Sequence, residues 1–190
     1  MQTKDFILAS GSPQRRRLLE QIGYTPKKII PADIDESCQK YERPLPYVRR
    51  MALEKAKKVA SDNPNENVLA SDTIITAGLR VIHKSKTPEE QEVVMRLLSG
   101  RNHKVISAVC LIDKNGKISS RCVTTRISMK KLSEEEIKNY VAGKEWVGVC
   151  GYKIEGELAG FVKNMVGSYS GVVGLPLYET KNLLTGAGIK

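Results

Sequence analysis

Three charged side chains in this chain stand where the pattern of their neighbours asks for apolar residues, and together they suit chemistry on a phosphate. The first is Arg15, within Ala9-Ser-Gly-Ser-Pro-Gln-Arg15. A short apolar strand there feeds a Ser/Gly turn and then a helix start, where free backbone N–H groups and a positive dipole end favour an anion. Arg15 lies three residues before Leu18 and four before Leu19, so it shares their inward face, while Arg16 and Arg17 point away. A cation in a first helical turn is disfavoured by the dipole unless an anion accompanies it. Ser12, in the same turn, either caps the helix or joins the anion site.

The second is Lys55, four residues after Met51 and four before Val59, in the middle of an apolar helical stripe. Its ammonium either snorkels to water or reaches a phosphate from a cleft wall, because desolvating it unpaired costs several kcal/mol. The third is Asp72, at the end of the apolar strand Val68–Ala70 and just before Ile74-Ile75. A carboxylate there needs a cation or donors, and ligand sites of α/β sheets gather at strand ends. It could hold Mg²⁺, orient a water or cap a turn. Glu36, in Asp33-Ile-Asp-Glu36, is a second candidate metal ligand or part of a solvated loop, and Lys84 is a weaker candidate after the next strand. The segment Gly167-Ser-Tyr-Ser-Gly-Val-Val-Gly-Leu-Pro176 offers hydroxyls such as that of Ser168, or is a plain glycine turn. It matches neither the P-loop nor the G-x-G-x-x-G pattern.

These residues need elements to hold them. Phe6–Ser10 reads as a strand, Ser12-Pro13 starts a helix that Gly23 ends, and Ile29–Ala32 reads as a second strand. A helix is expected from Pro46 to about Asp62, strands over Val68–Ala70, Ile74–Ile75 and Leu79–Ile82, and a helix from the Thr87-Pro-Glu-Glu90 capping box to near Gly100. Val105–Ile112 and Ile118–Met129 flank the hairpin signal Asn115-Gly116. Ser133-x-x-Glu136 opens a helix that stops at Gly143, Gly160–Met165 is a last strand, and a helix follows Pro176. Alternation at both ends around a central hairpin predicts an α/β domain with a mixed sheet, bent into two lobes around a cleft.

Bulk properties narrow the function. The 190 residues carry no linker or repeat, so one domain over 1–190 is expected. No apolar run approaches the roughly 20 residues of a membrane span, and the apolar stretch in the opening MQTKDFILASGSP is too short for a secretion signal, which points to a cytoplasmic address and no membrane partner. Four separated cysteines and two histidines supply neither a structural zinc set nor a disulfide framework. The formal charge of +10 fits a nucleic acid, a polyanionic small substrate or a lysine-rich solvated surface. The bases are dispersed, and two phenylalanines and one tryptophan leave little for stacking, so no specific nucleic acid is expected.

Several segments together resemble the Maf family in its motif order. They are Ile7-Leu-Ala-Ser-Gly-Ser-Pro-x-Arg-Arg-x-Leu-Leu19, Leu53-Glu-Lys-Ala56, Ala70-Ser-Asp-Thr73, Leu98-Ser-Gly-Arg-x-His103, Gly151-Tyr-Lys-Ile-Glu-Gly156 and Gly167-Ser-Tyr-Ser-x-Val-Val-Gly-Leu-Pro176. The resemblance runs from about Ile7 to Gly186. It implies a Maf/inosine-triphosphatase-like fold and hydrolysis of nucleoside triphosphates between the α and β phosphates, with a divalent metal, Mg or Mn. It makes Asp72 the general base, gives phosphate contacts to Ser10, Arg15, Lys55 and Lys84, lets Glu36 help Asp72 place the metal, and assigns Thr73 and Glu155 to the base. A role as a nucleotide- or nucleic-acid-binding regulator of division and septum formation is the rival reading. The sequence leaves the oligomeric state open, a homodimer included.

The chain departs from the family's pattern in places. The usual Gly-Lys-Pro reads His83-Lys84-Ser85, and Lys/Arg-Ala-Gly-Gly-Tyr reads Val149-Cys150-Gly151-Tyr152. Glu155 stands where the branch that prefers dTTP and UTP has glutamine and the branch that prefers 7-methyl-GTP has glutamate, yet the latter usually lacks a threonine like Thr73, so the base stays unresolved. If Glu155 faces the base, its two acceptor oxygens suit the adjacent donors of guanine.

Overall fold

The computed structural model describes residues 3–190; Met1 and Gln2, which open the segment judged too short for a secretion signal, lie outside the described residues. Seven strands among them form one mixed sheet: β1 (Thr3–Leu8), β2 (Thr25–Ile29), β3 (Val68–Ala77), β4 (Arg80–Ile82), β5 (Asn102–Ile112), β6 (Ile118–Met129) and β7 (Val162–Val166). The order is β2-β1-β3-β5-β6-β7, with β4 paired to the far end of β3. The β2-β1-β3 half is parallel, and β3-β5-β6-β7 is antiparallel. The helices are α1 (Pro13–Gln21), α2 (Pro44–Ser61), α3 (Pro88–Leu98), α4 (Glu134–Ala142), the short α5 (Tyr169–Val173) and α6 (Leu177–Gly186). None of the described helices is long and apolar enough to cross a membrane.

Each helix packs by the stripe its sequence supplies. The inward residues Val48, Met51, Ala52, Ala56 and Val59 of α2 cover one face of the sheet, against Val68, Ala70 and Ile74 of β3 and alternate residues of β5. Leu18 and Leu19 of α1, with Leu183 and Leu184 of α6, cover the opposite face over Phe6, Leu8 and Leu69. The far half of the long strands carries a separate core, in which Met95 and Leu98 of α3 and Ile137 and Tyr140 of α4 meet Val105 and Ile127. The expected two lobes are these two packing regions, and the long strands β3, β5 and β6 run through both.

Three expectations about elements need correction. The second strand is Thr25–Ile29 instead of Ile29–Ala32. β2 is an edge strand, where the missing donor of Pro26 and the polar side chains of Lys27 and Lys28 cost little. The Gly160–Met165 strand starts at Val162, because Glu157–Phe161 form a 3-10 turn whose first N–H is accepted by the Glu145 carboxylate at 2.9 Å. Most consequentially, β3 is unbroken from Val68 to Ala77, so Asp72 lies inside a strand and not at its end. The polar run Ser71-Asp72-Thr73 does not interrupt the ladder, since each side chain finds a partner off the strand.

The capping boxes behave differently from each other. At Ser133 and Glu136 the box is complete, whereas Thr87 caps α3 but Glu90 turns its carboxylate to the Lys86 N–H. The Gly167–Pro176 segment is not a bare turn. Ser168 caps α5 by accepting from the Gly171 N–H at 3.0 Å, and its own N–H donates to the Thr125 hydroxyl at 2.9 Å. Gly167 permits that approach: its φ is 139°, and a Cβ there would stand 2.8 Å from the Thr125 Cα. Gly167→Ala should therefore lower stability by about 1–3 kcal/mol, read as an earlier denaturant midpoint, and an unchanged midpoint would mean the loop docks elsewhere.

Candidate active site

On the β5 side, β3 is paired along nearly its whole length, from Val68 to Thr76. On the other side β1 pairs only as far as Leu69, and β4 pairs only from Ile75 onward. The edge between them, Ala70 to Ile74, has no strand partner on that side, and a cleft of about 720 Å³ opens there. The strand end that makes this gap is that of β1, which runs straight into the Ser10–Ser12 turn and α1.

Alternation then sorts the polar run. Asp72 has the parity of Val68, Ala70 and Ile74, so it faces α2, on which Lys55 has the parity of the buried stripe. The two meet: Lys55 Nζ donates to Asp72 Oδ1 at 2.7 Å, with the residues only 7% and 6% exposed. Glu36 Oε1 stands 2.9 Å from the same ammonium, on a side chain that is 53% exposed. Its loop is tied to α2 by the Tyr47 hydroxyl, which donates to the Glu36 carbonyl at 2.7 Å, and by Arg50. Arg50 also grips Glu42 through two N–H groups, at 2.7 and 2.6 Å, which lowers that carboxyl to about 2.

Ser71 and Thr73 have the opposite parity and face α5. The Ser107 hydroxyl donates to the Gly171 carbonyl at 2.5 Å and so accepts from Thr73 at 2.9 Å. Ser71 and Thr73 also lie within hydrogen-bond reach of the Gly174 carbonyl, at 3.1 and 3.3 Å. Arg15 Nε donates to that carbonyl at 3.0 Å, and Arg15 Nη1 donates to Ser10 Oγ at 2.9 Å. A φ of 141° at Gly174, open to glycine and strained for other residues, turns the carbonyl to this point. Burial pulls the Arg15 pKa down, and the nearby Asp72, Glu36 and Cys150 oppose that shift; the guanidinium stays charged, with further N–H groups left for an anion.

Of the residues singled out from the sequence, Ser10, Ser12, Arg15, Glu36, Lys55, Asp72, Thr73, Lys84 and Glu155 all line this one cleft. Ser12 does so while also capping α1, accepting from the Arg15 N–H at 3.4 Å. Lys84 and Glu155 are exposed on the second-lobe wall, and Lys84 is joined to Cys150 by an isolated β-bridge. Ser168 lies off the cleft lining, with its hydroxyl engaged in the α5 cap. No cluster of three or more His, Cys, Asp or Glu side chains suited to a metal occurs among the described residues.

Some contributors escaped the sequence reading. Tyr47 sits on the α2 stripe beside Val48, and helical spacing could have shown it. The Ser107 hydroxyl and the Gly174 carbonyl carried no pattern at all. Tyr152 lines the cleft and is held from behind by His103, 2.6 Å from Nε2; burial keeps that imidazole neutral, with its pKa pushed down to about 4, and pushes the tyrosine up.

A family model described as Maf-like protein matches residues 5–187. A dTTP/UTP pyrophosphatase of Caulobacter vibrioides is 46% identical over 186 residues, which cover 97% of this chain and 96% of that protein. A dTTP/UTP pyrophosphatase of Mesorhizobium japonicum is 45% identical over 192 residues, covering 97% of this chain and 92% of that protein. Among solved structures, the Staphylococcus aureus Ham1 protein aligns with a TM-score of 0.48 at 14% identity, over 71% of this chain and 88% of that one.

The buried pair makes a stability prediction. Lys55→Met leaves the Asp72 carboxylate without its ammonium and should cost about 3–5 kcal/mol in urea unfolding. Adding Asp72→Asn to Lys55→Met removes the stranded charge, so the double variant should be the more stable of the two. A double variant weaker than Lys55→Met would show that the pair is not what the interface depends on.

Proposed function

The chain belongs to the Maf-like protein family, and from that membership we infer that it is a nucleoside triphosphate pyrophosphatase, releasing the nucleoside monophosphate and pyrophosphate. The observation that carries this reading in the fold is the meeting of Lys55, Asp72 and Glu36 in one cleft with Arg15 and Lys84. Cations alone would suffice to bind a polyphosphate. A carboxylate held among them is what a hydrolase needs and a binding module does not, which disfavours a purely regulatory role.

In the proposed reaction Arg15, Lys55 and Lys84 offset the charge of the triphosphate, with the Ser10 hydroxyl beside them. Asp72 orients a water and takes its proton as the oxygen bonds the α-phosphorus; the α–β bridging bond breaks, and its oxygen leaves with the pyrophosphate. The protein forms no covalent bond to the substrate. Asp72 and Glu36, converging on one ammonium, also form a donor set of the kind that holds Mg²⁺ or Mn²⁺ through one or two carboxylates with water and phosphate oxygens completing the shell. We propose such a cation there, which would supply charge neutralisation at the phosphates.

For the base, we propose thymine and uracil. The substrates named for the curated relatives support this, and Thr73 fits the pattern that the resemblance assigns to that branch. Glu155 taken alone leans towards guanine, but it is exposed at the rim, and a solvated carboxylate has less leverage on a ligand than an enclosed one.

Incubation with dTTP or UTP and Mg²⁺ should give the monophosphate and pyrophosphate as first products; a diphosphate with orthophosphate would sink the bond assignment. Asp72→Asn keeps an acceptor for Lys55, so it should fold and bind nucleotide while losing about 10²–10⁴-fold in kcat. Retention of more than about a tenth of the rate would remove Asp72 as the base.

Wild-type kcat/KM should favour UTP and dTTP over GTP, and a GTP preference would overturn the base alone. Glu155→Gln adds a donor and should move the UTP-to-GTP ratio of kcat/KM further towards UTP by about three- to tenfold. A constant ratio would mean that Glu155 does not read the base.

A further inference from the structure

Gln91 is 1% exposed, which is rare for an uncharged polar side chain of its length unless both ends of the amide are satisfied. It is the first residue of the inward stripe of α3, one turn before Met95 and two before Leu98. Its Nε2 donates to the Gly151 carbonyl at 2.6 Å, and its Oε1 accepts from the Ser85 hydroxyl at 2.8 Å. The chemistry fixes this orientation: a carbonyl only accepts, so the amide nitrogen must face Gly151 and the oxygen must face Ser85.

The two partners belong to neighbouring pieces of the cleft wall. Ser85 directly follows Lys84, and Gly151 sits between Cys150 and Tyr152, both of which line the cleft. The backbones of Lys84 and Cys150 are joined by a single isolated bridge, too little to fix the tilt of either segment. Gln91 supplies the second point of attachment, from behind and out of water. At Gly151 the backbone runs close to the core, where a Cβ would stand 3.0 Å from Ile75 Cδ1, so this wall has no slack on its inner side. Tyr152 is held independently by His103, and beyond Ser85 the chain is tied to α3 by the Lys86 N–H on the Glu90 carboxylate, so what Gln91 adds is the link between the Lys84–Ser85 segment and the 150–152 wall.

We propose that Gln91 is a positioning residue of the active site: by tying Ser85 to Gly151 it holds the Lys84 ammonium at a fixed place over the cleft. Gln91 itself touches no substrate. The proposal rests on the reading of Lys84 as a phosphate ligand. A cation that meets the phosphates in both ground and transition states contributes uniform binding, so its displacement raises KM and leaves kcat nearly unchanged. A merely structural residue behaves otherwise, because loss of folded enzyme lowers the apparent kcat at constant KM.

The test uses the full chain with UTP and Mg²⁺, and compares Ser85→Ala, Ser85→Thr, Gln91→Met and Lys84→Ala, alone and combined. Lys84→Ala should raise KM by about tenfold or more, the scale of a lost charge-assisted hydrogen bond. Ser85→Ala and Gln91→Met should each raise KM by about three- to tenfold with kcat within about twofold, and Ser85→Thr, which keeps the hydroxyl, should restore the wild-type KM. On the Lys84→Ala background the same changes should add less than about twofold, since there is no longer an ammonium to position.

Three outcomes overturn the proposal. A normal KM with reduced kcat in Ser85→Ala and Gln91→Met makes Gln91 a packing residue. An undiminished KM effect on the Lys84→Ala background shows that it acts through something other than Lys84. A Lys84→Ala variant with unchanged KM removes Lys84 from the phosphate site and this proposal with it, an outcome distinct from the first two. Ser85→Ala, on a half-buried loop residue, carries the same comparison if Gln91→Met does not fold.

Discussion

The site is organised around one buried ammonium. Lys55 is enclosed at the α2–sheet interface, and removing such a group from water costs several kcal/mol unless opposite charge meets it. That demand sets the surroundings. Asp72 must sit on the α2 face of β3, Glu36 must be brought over from its loop, and the loop must be tied back to α2 through Tyr47 and Arg50. The requirement also explains why a polar run passes through β3 without ending it. Alternation sends Asp72 to Lys55 on one face, and on the other it sends Ser71 to the Ala108 carbonyl and Thr73 to the Ser107 hydroxyl, both beside the Gly174 carbonyl.

The same strand makes the cleft by its unequal pairing. β3 leaves β1 after Leu69 and takes up β4 at Ile75, so its edge is bare in the middle while the β5 side remains laddered. The parallel half delivers a helix N-terminus with Arg15 to that gap, and the antiparallel half delivers Lys84 and the 150–155 wall. Ligand sites of open α/β sheets form where neighbouring connections diverge, and here the divergence is between a parallel and an antiparallel neighbour of one strand.

What the sequence disclosed follows from the kind of signal each residue leaves. Arg15 and Lys55 were visible because a charge on an apolar helical stripe breaks a period, and a break in a period is local information. Gln91 breaks the α3 stripe in the same way, but an uncharged amide reads as ordinary helix surface and gave no alarm. Asp72 was found for a wrong reason: the polar run looked like a strand end, because its partners on α2 and β5 are 17 and 34 residues away along the chain. The second strand was placed at Ile29–Ala32 instead of Thr25–Ile29, and the edge position that excuses Pro26 is a property of the sheet and not of the segment. The Gly174 carbonyl had no signal at all, since any residue has a carbonyl and only the fold decides where it points.

The charge of the cleft bears on what must accompany a triphosphate. The chain carries a formal +10, with its bases dispersed along the sequence. Along the cleft lining the cations Arg15, Lys55, Lys84 and Lys153 face the carboxylates Glu36, Asp72 and Glu155, which is close to balance. A nearly neutral site can orient a polyanion but cannot by itself offset its charge, least of all where Lys55 is already shared by two carboxylates. Those carboxylates would repel the phosphates they adjoin if nothing came between. The divalent cation proposed at Asp72 and Glu36 would reverse that sign, since the two carboxylates would then hold it beside the phosphates. Without it, the carboxylates and the ammonium hold one another in place, so the geometry of the site is set by Lys55, Asp72 and Glu36 themselves.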